Sequence, residues 1–164
     1  ITAYVQANLY QNGSKWAQQF KAQFGSDAAD LTNEEFLWYF SDVIAQKVQY
    51  GQRIELCNLI LNYTNMNDLL NALIPYYASS GLEPITYNHN FYNNDTWDPN
   101  YSADKLWNYQ VCSQLGWFQT LYPDLRYAMR STYTNLSFYR SFCEQSFGRP
   151  LWPDVDRFNC LRAL

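Results

Sequence analysis

The stretch that most constrains how this chain can fold is Thr32-Asn33-Glu34-Glu35, followed by apolar residues at Phe36, Phe40, Val43, Ile44 and Val48. A Thr hydroxyl that can accept from the amide three residues on, facing a Glu there that can accept from the Thr amide, is a capping box. The apolar spacing after it has the period of a helix and not the alternation of a strand. A helix is therefore predicted from its Thr32 cap to about residue 49, with Leu37 and Trp38 beside the stripe and Gly51 ending it.

The same logic reads other helices. Trp16, Phe20 and Phe24 fall on one face of a short helix capped near Ser14 and stopped by Gly25. Residues 53–61 read as another helix. A fourth starts at Asn67 or a near neighbour and runs through Leu69, Leu70, Leu73, Ile74 and Tyr77, with Pro75 kinking it or ending its regular part. Ser102 opens a helix through Trp107 and Val111 to about Leu115, where Gly116 follows. A last clear helix spans about 136–146, with Phe138, Phe142 and Cys143 inward and Gly148 as its stop. Between them, residues 79–102 turn to Gly, Pro, Asn, Asp and Tyr without a period, which predicts a long surface connection. The tail carries a turn at 150–154 and a helical turn around 155–159. No alternating strand pattern and no internal repeat occurs, so the class is all-α, a helical bundle, with 1–164 as one domain.

Hydrophobic residues make up 48% of the chain and aromatics 19%, enough apolar surface to offset the entropy of ordering, which argues against disorder. The net charge of -4 comes with basic residues scattered along the chain, which argues against a nucleic-acid groove. No apolar run approaches a membrane span. The chain starts at Ile1 with no signal-peptide pattern and is read as a mature or trimmed product. Sequons begin at Asn12, Asn62, Asn94, Asn100 and Asn135. Together with cysteines at 57, 112, 143 and 160, they point to the secretory pathway.

Chemistry is sparse. None of the six glycines takes the G-x-S-x-G spacing of a strained nucleophile turn, and neither phosphate-binding glycine motif occurs. His89 is the one available imidazole and reads as an exposed or packing side chain. Glu34-Glu35 and Asp154 with Asp156 read as helix-start residues near unpaired amides. The cysteines lack C-x-x-C spacing, which favours disulfides over metal, and three pairings of Cys57, Cys112, Cys143 and Cys160 stay open. No cofactor is implied. The unusual segment is 107–119, where Trp107, Trp117 and Phe118 crowd a helix end with Gln110, Gln114 and Gln119. Packing accounts for Trp107, while amides beside large rings fit the walls of a ligand pocket.

At Trp107-Asn108-Tyr109-Gln110-Val111-Cys112-Ser113-Gln114 the chain resembles the W-x-Y-Q-x-C-T-E stretch of the serine peptidases that include lysosomal Pro-Xaa carboxypeptidase, dipeptidyl peptidase II and thymus-specific serine protease. The likeness extends over about residues 23–160. It takes in Leu31-Thr32-Asn33-Glu34-Glu35-Phe36, Val48-Gln49-Tyr50-Gly51 and Leu56-Cys57 upstream, and Arg130-Ser131, Cys143, Phe147-Gly148 and Pro153-Asp154-Val155-Asp156 downstream.

The resemblance implies a helical cap inserted into an α/β-hydrolase core, with the catalytic Ser before it and the Asp and His after it. No catalytic residue carries over. It places Trp117 in the wall of the proline-binding pocket, with Gln110, Gln114 and Phe118 near it. The family usually has Glu where Gln114 stands, so the charge that could read a peptide terminus is absent. It also implies a Cys112–Cys143 bridge, leaving Cys57 to pair with Cys160 or with a cysteine outside the chain. The expected partners are the hydrolase core of the parent polypeptide, a peptide substrate and a homodimer or larger assembly, in a secreted, lysosomal or vacuolar setting. The alternative is a non-catalytic structural or binding glycoprotein on the same cap fold. Helix spacing alone also admits a standalone four-helix carrier or cytokine-like factor.

Overall fold

A computed structural model describes residues 1–93, 100, 102–121 and 128–154, and among these there are helices and turns but no strand. The helices are α1 (Thr2–Gln11), α2 (Ser14–Ala22), α3 (Asn33–Gln49), α4 (Arg53–Leu61), α5 (Met66–Ala78), α6 (His89–Tyr92), α7 (Ser102–Gln110) and α8 (Leu136–Phe147). Short 3-10 segments lie at Ser26–Asp30 and Pro84–Tyr87, and a π-helical turn at Val111–Leu115 extends α7.

The capping box forms as expected. Glu35 N donates to Thr32 Oγ1 at 3.2 Å, and Thr32 N donates back to Glu35 Oε2 at 2.8 Å. Asn65 caps α5, accepting from Asn67 N and Asp68 N, and Asn135 caps α8 by accepting from Phe138 N at 3.1 Å. Pro75 does not end α5, which continues to Ala78 with Pro75 on its exposed side. Val48, the last residue of the α3 stripe, is exposed, because the end of α3 runs past the core.

Helix α3 is the axis of the core. Helix α1, which no sequence signal marked, packs against α3 and α2 through Val5 and Leu9, both buried. Its buried positions Thr2, Val5 and Leu9 do lie on one helical face, but exposed Tyr4 and Tyr10 blur the stripe. Phe24 meets the ring edges of Phe36, Phe40 and Tyr77 at centroid distances of 5.6, 5.6 and 5.1 Å. Tyr77 Oη donates to the Phe40 carbonyl at 2.5 Å, which satisfies a hydroxyl that would be costly to bury unpaired.

Residues 79–93 correct the expectation of a surface connection. Tyr87, Asn88 and Tyr92 are buried, and Tyr87 lies edge-on to Trp38 and Tyr39 at 4.8 and 5.3 Å. The segment has no period because two short turns, and not one long helix, carry its aromatic residues inward. Gly25 permits the approach: its φ is +139°, and a Cβ there would sit 3.0 Å from Pro84 Cγ.

Candidate functional site

Trp38 joins α3 to α8. It meets Phe142 at 5.0 Å and Tyr139 at 5.4 Å, both edge-on, a geometry that aromatic quadrupoles favour. Helix α7 is tied to α8 by the Cys112–Cys143 disulfide, whose cysteines stand 31 residues apart. Both sulfurs are buried. Between α3, the end of α7 and α8 lies a cleft of about 320 Å³.

Trp38, Asp42 and Gln49 of α3 with Tyr50 form one wall of this cleft. Trp107 and Asn108 of α7, Val111 and Cys112 form another, Trp117, Phe118 and Gln119 form the rim, and Tyr139 and Phe142 of α8 close it. Trp107 and Trp117 meet edge-on at 5.9 Å. Phe118 stacks on Tyr139 at 5.1 Å and on Trp152 at 4.7 Å. The turn that presents this rim depends on Gly116, whose φ of +62° ends the π-helical turn, with its amide donating to the Val111 carbonyl at 3.0 Å.

Of the four residues expected in the pocket wall, Trp117 and Phe118 line the cleft, while Gln110 and Gln114 are exposed and do not line it. A helix end turns about 100° per residue, so residues three or four apart share a face only while the helical twist is kept. The π-helical turn changes that register after Gln110.

The cleft's charged group is Asp42. Arg130 donates from Nη2 to Asp42 Oδ1 at 2.5 Å, and Tyr87 Oη donates to Oδ2 at 3.2 Å. Burial raises the Asp42 carboxyl above its ordinary value, while the Arg130 charge and hydrogen bonds from Arg130, Tyr87 and Trp38 pull it back. Arg130 Nη2 also donates to Gln119 Oε1, and Tyr139 Oη donates to the Gln119 carbonyl at 3.0 Å. Burial raises the Tyr139 hydroxyl well above the ordinary tyrosine value, so it stays a donor. Asn108 Nδ2 donates to Tyr92 Oη and to the Asp104 carbonyl, each at 3.0 Å. Sequence reasoning did not single out Asp42, Asn108 or Arg130 as cleft residues. A lone carboxylate inside the apolar run of α3 was the one signal for Asp42.

His89 is a packing residue in this structure. Its Nδ1 and its backbone N both bond Glu35 Oε1, at 2.7 and 2.8 Å, beside a second hollow of about 380 Å³. Among the described residues Cys57, exposed on α4, has no disulfide partner, and Cys160 lies outside them. Asn12, Asn62, Asn100 and Asn135 are exposed, while Asn94 lies outside the described residues. Asp156 and the helical turn expected around 155–159 lie outside them as well. Among the described residues no cluster of three or more His, Cys, Asp or Glu side chains could hold a metal ion, and no helix is long and apolar enough to cross a membrane.

Over residues 6–153 the chain matches the family described as serine carboxypeptidase S28. It is 30% identical over 145 residues to the Probable serine protease EDA2 of Arabidopsis thaliana, an alignment covering 85% of this chain and 29% of that protein. The chain therefore spans less than a third of that relative's length. The family match starts at residue 6, upstream of the stretch whose resemblance begins near residue 23. No solved structure matches the chain.

Proposed function

Because the chain belongs to the serine carboxypeptidase S28 family, we propose that residues 1–164 form one helical cap domain that gates substrate access in a serine-type exopeptidase. The observation that carries the reading is the aromatic cleft beside the Cys112–Cys143 bridge, with Trp117 and Phe118 on its rim. A cleft of this size takes one or two peptide residues, and its walls supply rings for apolar contact and a few fixed polar groups for orientation. In the parent polypeptide a Ser activated by His and oriented by Asp attacks the scissile carbonyl, while the cap shapes the entrance and limits the reaction to chain ends. The preferred substrate is a peptide with proline or a small residue near its terminus.

Residues 1–164 supply no nucleophile elbow, since no glycine pair takes the G-x-S-x-G spacing. This chain alone is therefore inactive, and its partner is the hydrolase core of the parent. The disulfide supports a secreted, lysosomal or vacuolar location, because reducing compartments do not maintain such bonds.

A fluorophosphonate serine-hydrolase probe tests the reading. The chain should remain unlabelled, and the parent should label once, at a serine outside residues 1–164. Stoichiometric labelling of a serine within 1–164 would overturn the cap assignment. A parent without a reactive serine would make this a binding glycoprotein instead.

A further inference from the structure

Three side-chain amides, those of Gln49, Asn108 and Gln119, line the cleft, and for Asn108 and Gln119 the structure fixes which end is left for a ligand. Arg130 can only donate, so the Gln119 atom facing its Nη2 must be Oε1. The remaining end of Gln119 is its Nε2, a donor. Asn108 is fixed the opposite way. The Asp104 carbonyl can only accept, and Tyr92 Oη gives its one hydrogen to the Thr86 carbonyl, so both need a donor from Asn108. Both Nδ2 hydrogens are thereby used within the protein, which leaves Oδ1, an acceptor. These orientations follow from the partners' chemistry and not from the assignment of N and O positions within an amide.

We propose that Asn108 and Gln119 read one backbone unit of a bound peptide, with Asn108 Oδ1 accepting from its N–H and Gln119 Nε2 donating to a C=O, while the aromatic walls hold the flanking side chains. The inference rests on the peptide-gating reading above. A donor and an acceptor of fixed sense match an extended peptide, which exposes one of each per residue. Arg130 is the positioning residue: Asp42 holds its guanidinium, and the guanidinium holds Gln119.

The test measures quenching of tryptophan fluorescence in the intact parent polypeptide, with turnover suppressed by substituting its nucleophile. The probes are tripeptides with free termini and analogues in which an ester oxygen replaces one peptide N–H. In the unsubstituted cleft one ester position should weaken binding about tenfold, the worth of one sheltered hydrogen bond. That penalty should vanish in Asn108→Leu and persist in Gln119→Met, which should instead weaken peptide and ester alike. If Asn108→Leu does not fold, the ester scan of the unsubstituted cleft decides, since equal binding at every position contradicts the proposal. A penalty unchanged in Asn108→Leu would overturn the Asn108 assignment and leave peptide gating standing. If no tripeptide quenches, or if methyl glucoside quenches in its place, both this inference and peptide gating fall.

Discussion

Glu35 and His89, 54 residues apart in sequence, are joined twice through one oxygen: Glu35 Oε1 accepts from the His89 backbone N at 2.8 Å and from Nδ1 at 2.7 Å. The other carboxylate oxygen completes the Thr32 capping box. One buried side chain thus starts α3 and docks α6 onto it.

Glu35→Ala should accordingly cost more than an ordinary cap. Loss of the cap alone is worth about 1 kcal/mol, and leaving the His89 donors without their acceptor adds about 1–3 kcal/mol. Urea unfolding should give a total loss of about 2–4 kcal/mol. A loss below about 1 kcal/mol would mean that α6 is held by other contacts.

Removing the disulfide opens a loop closed across a separation of 31 residues. In the chain-entropy account, Cys112→Ala with Cys143→Ala lowers stability by about 3–4 kcal/mol. Because Cys112 also lines the cleft, the double variant should change the emission of the cleft tryptophans before global unfolding. Coincident fluorescence and circular-dichroism transitions would argue against that local effect.

Gly116→Ala places a side chain at a φ of +62°. The left-handed conformation costs a non-glycine residue about 1 kcal/mol, a loss that thermal unfolding can detect. The strain falls next to Trp117, so weaker ligand binding at the cleft should accompany it. Trp117→Leu, which leaves the backbone unstrained, should weaken binding without that loss of stability.

The pH dependence of Asp42 has a definite sign. Burial raises its folded-state pKa, so the folded protein holds this proton more tightly than the unfolded chain does. The resulting stability is fully present below the ordinary carboxyl pKa of about 3.9 and is lost as pH rises through the raised value. Asp42→Asn removes the slope. Relative to Asp42→Asn, the unsubstituted protein should therefore lose stability as pH increases from about 4. The opposite slope would show that Arg130 outweighs burial. Arg130→Met leaves the Asp42 carboxylate without its charged partner, with Tyr87 still donating to it, and should cost about 3 kcal/mol near neutral pH.

Much of the local structure was legible. Thr32 with Glu35, Gly51, Gly116 and Gly148 marked helix ends because caps and left-handed turns are decided by a few neighbouring residues. The bounds of α4 also matched the expectation, although no side chain caps that helix and Asn62 at its end is right-handed. Helix α1 escaped, since its buried face of Thr2, Val5 and Leu9 is broken up by exposed tyrosines. Residues 79–93 escaped because Tyr87 and Tyr92 are buried by contact with α3 and α8, and nothing in their own spacing encodes that.

The sequence by itself determined an all-helical chain, the family to which it belongs and the segment that carries the cleft rim. These rest on hydrogen bonding and apolar period within a few residues, and on motifs that can be read in order. Only the tertiary structure decided that Trp117 and Phe118 face a cleft while Gln110 and Gln114 do not. It also brought Asp42, Arg130 and Gln119 into one chain of hydrogen bonds across 88 and 11 residues. Such groupings depend on how α3, α7 and α8 pack. A π-helical turn and a disulfide set that packing, and neither its register nor its partners is a property of any single segment.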